Sequence, residues 1–299
     1  MSARATPRPR GAAGGLYTRA MDPHSAHSLP PADALEAFRD TVWDYYRANR
    51  REMPWRGIDD AYGVLVSEVM LQQTQVVRVT ARWVDWMTVF PTIDALAAAP
   101  VAVVLERWQG LGYNRRAVAL KRCAEQVAER FGGVLPADPA VLATLPGIGP
   151  ATAAAVVDYA YEVPAPFIET NVRAALIHCF FADAEDVHDR DLRPIVEAVW
   201  DRDDPRGWGY ALTDYGAHLK RTLPNPSRRS RHHVRQSPFA GSRRQKRARL
   251  LRAVLARPGS DTDAYAGETG VAAGEASELL EALAAEGFLR RSGEQWSVL

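Results

Sequence analysis

The sequence predicts an all-α fold followed by a small unit of three helices and a β-hairpin. Three observations predict it. Apolar residues recur at helical spacing through most of residues 32–221, in runs closed mainly by proline or glycine. A Leu145-Pro146-Gly147-Ile148-Gly149-Pro150 turn joins two of these runs, and strand-like segments come at the end, residues 288–291 and 295–299 around Ser292-Gly293. With 299 residues and 47% hydrophobic content the chain can build two compact units with ordinary cores.

Residues 1–31 are rich in Ala, Gly, Pro and Arg without a secretory apolar stretch, and are expected to be a disordered extension, with Met21 an alternative start. Helical patterning begins near Ala32, where Leu35, Phe38, Val42, Tyr45 and Tyr46 keep a 3.6-residue period, and stops before Arg51-Glu52-Met53-Pro54-Trp55-Arg56. From Ala61 to Val77 the only charged residue is Glu68, and Ala61, Val64, Leu65, Glu68, Leu71 and Gln72 fall on one stripe at helical spacing. A lone carboxyl on such a stripe is expected to be buried, with a raised pKa that keeps it protonated near neutral pH, as a general acid requires. The other reading is a Glu68 that tips into solvent at the stripe's edge.

Helices are expected over residues 80–89, 93–98 and 101–109. Gln109-Gly110-Leu111-Gly112-Tyr113-Asn114-Arg115-Arg116-Ala117 then exposes backbone beside a ring suited to wedge into a base step, with Arg115 and Arg116 available for phosphate. Tyr113 as a packing residue is the plainer alternative. A helix over 116–131 ends at Gly132-Gly133, and Asp138 or Pro139 begins the one that leads into the central turn. That turn and the small-residue helix after it aim backbone amides at one spot, which suits a phosphate, although glycines also close ordinary helix pairs. Pro164 and Pro166 end this helix. Glu169 then opens a run whose Val172, Leu176 and Phe180 share one face, followed by helices over 191–201 and 208–221.

The net charge of +1 conceals an asymmetry, because residues 220–252 hold 12 of the 37 Lys and Arg and no acidic residue lies between Asp214 and Asp261. The rest of the chain carries 25 basic against 36 acidic residues. Concentrated basic charge is what a phosphate-binding footprint looks like; a solvated tail is the alternative. Cys123 and Cys179 are the only cysteines, too few for a disulfide framework or for a four-cysteine cluster. His232 and His233 lack the spacing of a metal site, so no metal is expected. No run approaches the roughly 18 apolar residues of a membrane span, so a soluble, cytoplasmic protein is expected.

Four stretches together resemble the helix-hairpin-helix DNA glycosylases, the superfamily of endonuclease III and the MutY-type adenine glycosylases. They are 51–76, ending Ser67-Glu68-Val69-Met70-Leu71-Gln72-Gln73-Thr74-Gln75-Val76; 109–117; the hairpin with Ile168-Glu169-Thr170-Asn171-Val172-Arg173; and Trp208-Gly209-Tyr210-Ala211-Leu212-Thr213-Asp214-Tyr215-Gly216-Ala217. The resemblance covers about residues 32–221 and implies a two-lobed fold, with a terminal lobe from 32–56 and 164–222 and a six-helix lobe over 57–163. A basic linker, 223–242, and a winged-helix-like domain, 243–299, follow.

What the resemblance implies about chemistry is hydrolysis of a base–deoxyribose bond by a monomer acting on a nucleotide flipped from mismatched or damaged double-stranded DNA. Glu68 protonates the base, and Glu169 with Asn171 stabilises the sugar cation. DNA contacts are implied for Gln72, Gln73, Tyr113, Arg115, Leu145, Gly147, Ile148, Gly149 and Thr152, with Arg228, Arg229 and Arg231 of the basic run. This chain departs from its relatives in several places. Glu169 stands where they usually carry aspartate, and Ala151 where bifunctional ones carry a lysine, so no lyase activity is expected. Residues 224–233 lack the cysteines of the usual [4Fe–4S] cluster, so no cofactor is expected. A winged-helix-like domain is expected in place of the larger C-terminal domain with which such relatives usually read oxidised guanine. Adenine in a mismatch is the expected target; alternatives are another base, such as mismatched thymine or an alkylated purine, or a non-catalytic lesion-binding protein.

Overall fold

The structure, a computed structural model, describes residues 29–235 and 238–299. The expected disordered extension, up to residue 28, and Gln236 and Ser237 of the expected linker lie outside the described residues. The chain forms two units: one from residues up to Arg50, Ile168–Val199 and Ala211–His233, the other from Arg51–Phe167, Trp200–Tyr210 and Val234–Leu299.

In the first unit, helix α1 (Ala32–Asn49) packs on α10 (Asp189–Val199), which packs on α9 (Thr170–Phe180). Leu192, Ile195, Val196 and Val199 give α10 one apolar face at i, i+3, i+4, i+7, and all four are buried. Phe38 meets Phe180 with ring centroids 5.1 Å apart. The end of α11 (Pro205–Thr222) leads into a 3-10 turn, Pro226–Arg229, that packs on α9.

This corrects the expected basic linker at its start, since residues up to His233 belong to the first unit. The reason lies in Arg229, whose guanidinium donates to the carbonyls of Ile177, Phe181 and Ala182. These carbonyls lie at and just beyond the C-terminal end of α9, where a cation meets the negative end of the helix dipole.

In the second unit α2 (Ala61–Leu71) lies at the centre, in contact with α3 (Val76–Val89), α6 (Arg115–Phe131) and α8 (Pro150–Tyr161). Asp60 caps it, accepting from the N–H groups of Tyr62 and Gly63. Between α3 and α8 come α4 (Ile93–Ala98), α5 (Val101–Trp108), α6 and the short α7 (Pro139–Leu142).

The apolar run to Val77 is not one helix. It breaks after Leu71 at a turn in which Gln73 is left-handed (φ 55°). No glycine or proline announces this turn, because it is held from outside by Arg116. That guanidinium donates to the carbonyls of Val69, Met70 and Gln72 at the end of α2.

The C-terminal part of the second unit contains α12 (Arg243–Ala256), α13 (Thr262–Thr269), α14 (Ala273–Ala285) and strands β1 (Leu289–Ser292) and β2 (Gln295–Val298). The strands pair antiparallel from Leu289↔Val298 to Ser292↔Gln295, and a bridge between Ser260 and Trp296 extends the wing. Tyr265, Leu279, Phe288 and Trp296 are fully buried or nearly so, giving this winged-helix-like module a core of its own.

Candidate active site

Helix α2 is buried on nearly every side: Tyr62 to Ser67, Val69 and Met70 are all inaccessible. Its partly open positions are Ala61, Glu68 and Leu71, with Gln72 following. Of the expected stripe, Val64 and Leu65 are buried while Ala61, Glu68, Leu71 and Gln72 are partly open, so Glu68 is half-buried rather than enclosed. Two phenols border this carboxyl. Tyr159 of α8 and Tyr210 of α11 stack with centroids 4.3 Å apart, and Arg56 lies 4.5 Å over the Tyr210 ring. Burial raises the pKa of both hydroxyls, and the charge of Glu68 pushes each up further. Both therefore stay protonated at neutral pH beside Glu68.

Beyond the end of α2, two turns are joined by Arg116. It donates to the Thr74 hydroxyl at 3.0 Å and to the Leu111 and Gly112 carbonyls at 3.2 and 3.1 Å. Each turn carries a left-handed residue that is not glycine, Gln73 (φ 55°) and Tyr113 (φ 47°). Backbone strain of this kind persists where surrounding contacts over-determine it, and it clusters at functional sites. Arg116, expected among the phosphate contacts, is a strut: burial lowers its pKa to about 10, which leaves it charged.

The central hairpin turns at Gly147 (φ 78°), where a Cβ would come within 2.8 Å of the Ala119 Cβ. Gly149 is the N-cap of α8 and Pro150 its first residue. Gly147, Gly149, Pro150 and Ala151 are exposed, whereas Leu145 and Ile148 are buried. Any phosphate contact here is thus a backbone one; the Leu145 and Ile148 side chains anchor the turn instead. Thr152 accepts from Gln72 Nε2 at 3.3 Å, tying the end of α2 to the first turn of α8.

Glu169 lies in the first unit as the N-cap of α9. Its Oε1 accepts from the N–H of Asn171 (2.7 Å) and Val172 (2.9 Å), and its Oε2 from Asn171 Nδ2 (3.2 Å). Lys220 Nζ donates to Asn171 Oδ1 at 3.2 Å. Burial lowers the Lys220 pKa, and the Glu169 charge opposes that shift. A Cβ at Gly216 would overlap the Asn171 carbonyl, so this glycine lets α11 lie against the start of α9. Lys220 and Gly216 are the residues that sequence reasoning did not assign.

The remaining expected DNA contacts divide. Arg228 is exposed. Arg229 caps α9, Arg231 pairs with Asp186 at 3.2 Å, and Arg115 forks onto Glu286 with both contacts at 2.7 Å. Among the described residues no group of three or more His, Cys, Asp or Glu could hold a metal, and no helix is long and apolar enough to cross a membrane. The four-cysteine iron–sulfur cluster considered from the sequence resemblance does not fit the donors present. Residues 224–233 offer no thiol, and the two cysteines lie on α6 and α9, where burial pushes both pKa values up to about 12.

Residues 66–199 match the family described as HhH-GPD superfamily base excision DNA repair protein. Curated relatives are adenine DNA glycosylases. That of Mycolicibacterium smegmatis is 45% identical over 143 residues, 47% of this chain and 48% of that protein. That of Mycobacterium tuberculosis is 38% identical over 178 residues, 58% of each chain. The human one is 36% identical over 161 residues, 51% of this chain and 30% of that protein. The chain thus spans about half the length of the first two relatives. Among solved structures, a thermostable thymine-DNA glycosylase shares the fold with a TM-score of 0.57 at 23% identity, covering 62% of this chain and 87% of that one. Endonuclease III in a non-covalent DNA complex gives 0.54 at 17% identity, covering 73% and 94%.

Proposed function

We propose that this chain is a monofunctional DNA glycosylase that removes adenine from mismatched double-stranded DNA, acting as a monomer. The observation that carries the reading is Glu68, the one carboxyl on a helix that is otherwise mostly packed shut, placed at one of that helix's partly open positions beside two protonated phenols. An acid that must meet a substrate needs this half-open position. Adenine as the target rests on the relatives' identity.

In the reaction, Glu68 gives its proton to a ring nitrogen of the flipped base while the bond from that base to the sugar breaks, its electron pair leaving with the base. Positive charge grows on the sugar. The Glu169 carboxylate, held by Asn171 and Lys220, balances that charge, and water then adds to the sugar carbon and loses a proton to the carboxylate. Exposed hairpin amides grip phosphate, and Gln73 and Tyr113 enter the stack. Ala151 provides no amine, so no Schiff base forms. No step uses a cluster or metal.

The test is a panel of duplexes, each with one mismatch or lesion, incubated with the protein under single-turnover conditions and then cleaved by alkali at abasic sites. Cleavage at adenine in a mismatch, dependent on alkali, is expected. Cleavage at thymine or an alkylated purine would move the target, and binding without cleavage of any duplex would point to a lesion sensor.

A further inference from the structure

Tyr113 is held at both ends. At its root the left-handed backbone and the Arg116 guanidinium, 5.5 Å from the ring centroid, fix the phenol's base. At its tip, Arg244 Nη1 donates to the hydroxyl at 3.0 Å. Arg244 lies in the first turn of α12, in the C-terminal module rather than in the lobe that carries Tyr113.

The module is fastened at this turn. Glu286, just past α14, accepts from Arg115 Nε and Nη2 and from Arg247 Nη2, all at 2.7 Å. Lys246 joins Glu275 at 2.6 Å. Helix α14 carries acidic side chains and no basic one, so it is ill suited to lie in a DNA groove. The third helix of the module packs on α12 and α13, and Glu286 after it pairs with Arg115 two residues from Tyr113. Glu286 neutralises Arg115, the cation expected to serve phosphate, and the same docking brings Arg244 to the phenol.

We propose that Arg244 is a positioning residue for Tyr113, which sets the ring's direction before it enters a base step; this rests on the glycosylase reading, in which Tyr113 wedges into the duplex. A ring anchored only at its root must lose rotational freedom on insertion. A guanidinium at the tip removes that loss in advance.

The experiment is a double-mutant cycle of Tyr113→Phe and Arg244→Ala in the full chain, read by the fluorescence of a 2-aminopurine placed next to a mismatch. Each single variant should lower the equilibrium for unstacking about tenfold, the size expected for one hydrogen bond to a charged group. Arg244→Ala should add nothing in the Tyr113→Phe background, and Arg244→Lys should restore part of the signal. Additive effects would overturn the proposal and make Arg244 a phosphate contact. So would a silent Arg244→Ala, or a wild-type protein that never unstacks the probe. The readout does not need base release. A wild type that unstacks the probe and obeys the cycle but frees no base from any duplex would sink the glycosylase reading and leave the positioning role standing.

Discussion

Asn171 closes a ring around the Glu169 carboxylate: its backbone N–H donates to Oε1 at 2.7 Å while its side-chain Nδ2 donates to Oε2 at 3.2 Å. Lys220 pins the other end of the same amide through Oδ1. The carboxylate is thus aimed as well as capped, and its direction depends on Lys220, 49 positions beyond Asn171 along the chain.

Replacing Glu169 by Gln keeps the shape and removes the charge. Turnover should fall at least about a hundredfold, the size seen when a transition-state charge partner is lost, with duplex affinity near wild type. Glu169→Asp still caps α9 but draws the carboxylate back by roughly 1.5 Å, one C–C bond. If the Asn171 and Lys220 ring is built for glutamate, Glu169→Asp loses activity as well. Single-turnover rates decide, and full activity in Glu169→Gln would remove the carboxylate from the chemistry.

Arg228 and Arg229 are neighbours with different expected consequences. Exposed Arg228 has the position of a phosphate contact, so Arg228→Ala should reduce the slope of log affinity against log salt by up to about 0.9 without changing thermal stability. Arg229→Ala should lower the melting temperature, because it removes three side-chain hydrogen bonds and a cation from the C-terminal end of α9. Equal melting temperatures for the two variants would contradict the capping role.

Asp158 is fully buried, and burial raises its pKa to about 8 although Trp200 Nε1 donates to Oδ1. Its Oδ2 has no partner. A carboxyl whose folded pKa lies above its unfolded value near 4 binds more protons when folded, so stability declines as pH rises from about 4 to about 8 and levels off above that. Asp158→Asn should flatten this decline. Urea melts of the two proteins across that window check it, and parallel pH dependence would show that Asp158 is not the group responsible.

Much of this was legible in the sequence because it rests on local rules. The helices around the hairpin, the start of a helix at Glu169 and the C-terminal hairpin follow from apolar period, prolines and glycines. What escaped was long-range. The break after Leu71 carries no turn residue of its own and is made by Arg116, forty-odd positions away. Arg229 reads as part of a charge run, yet its guanidinium finds helix carbonyls. Lys220 has no local signal as an Asn171 partner. Gly216, inside a helix, did offer a hint, since a glycine there usually has a packing reason, here the Asn171 backbone. In the Glu68 stripe Val64 and Leu65 are buried as expected, whereas Glu68 itself is partly open. Periodicity finds a helix's faces, but on a helix buried nearly all round the polar residue takes a partly open position.

The most direct measurement is single-turnover base release by Glu68→Gln, set beside its affinity for the same mismatched duplex. Glutamine occupies the same volume at this partly open position of α2 but has no acid proton to give. If Glu68 is the acid, affinity stays within a few-fold of wild type while release falls by at least about a hundredfold, the lower range for loss of a general acid. Release at the wild-type rate would contradict it.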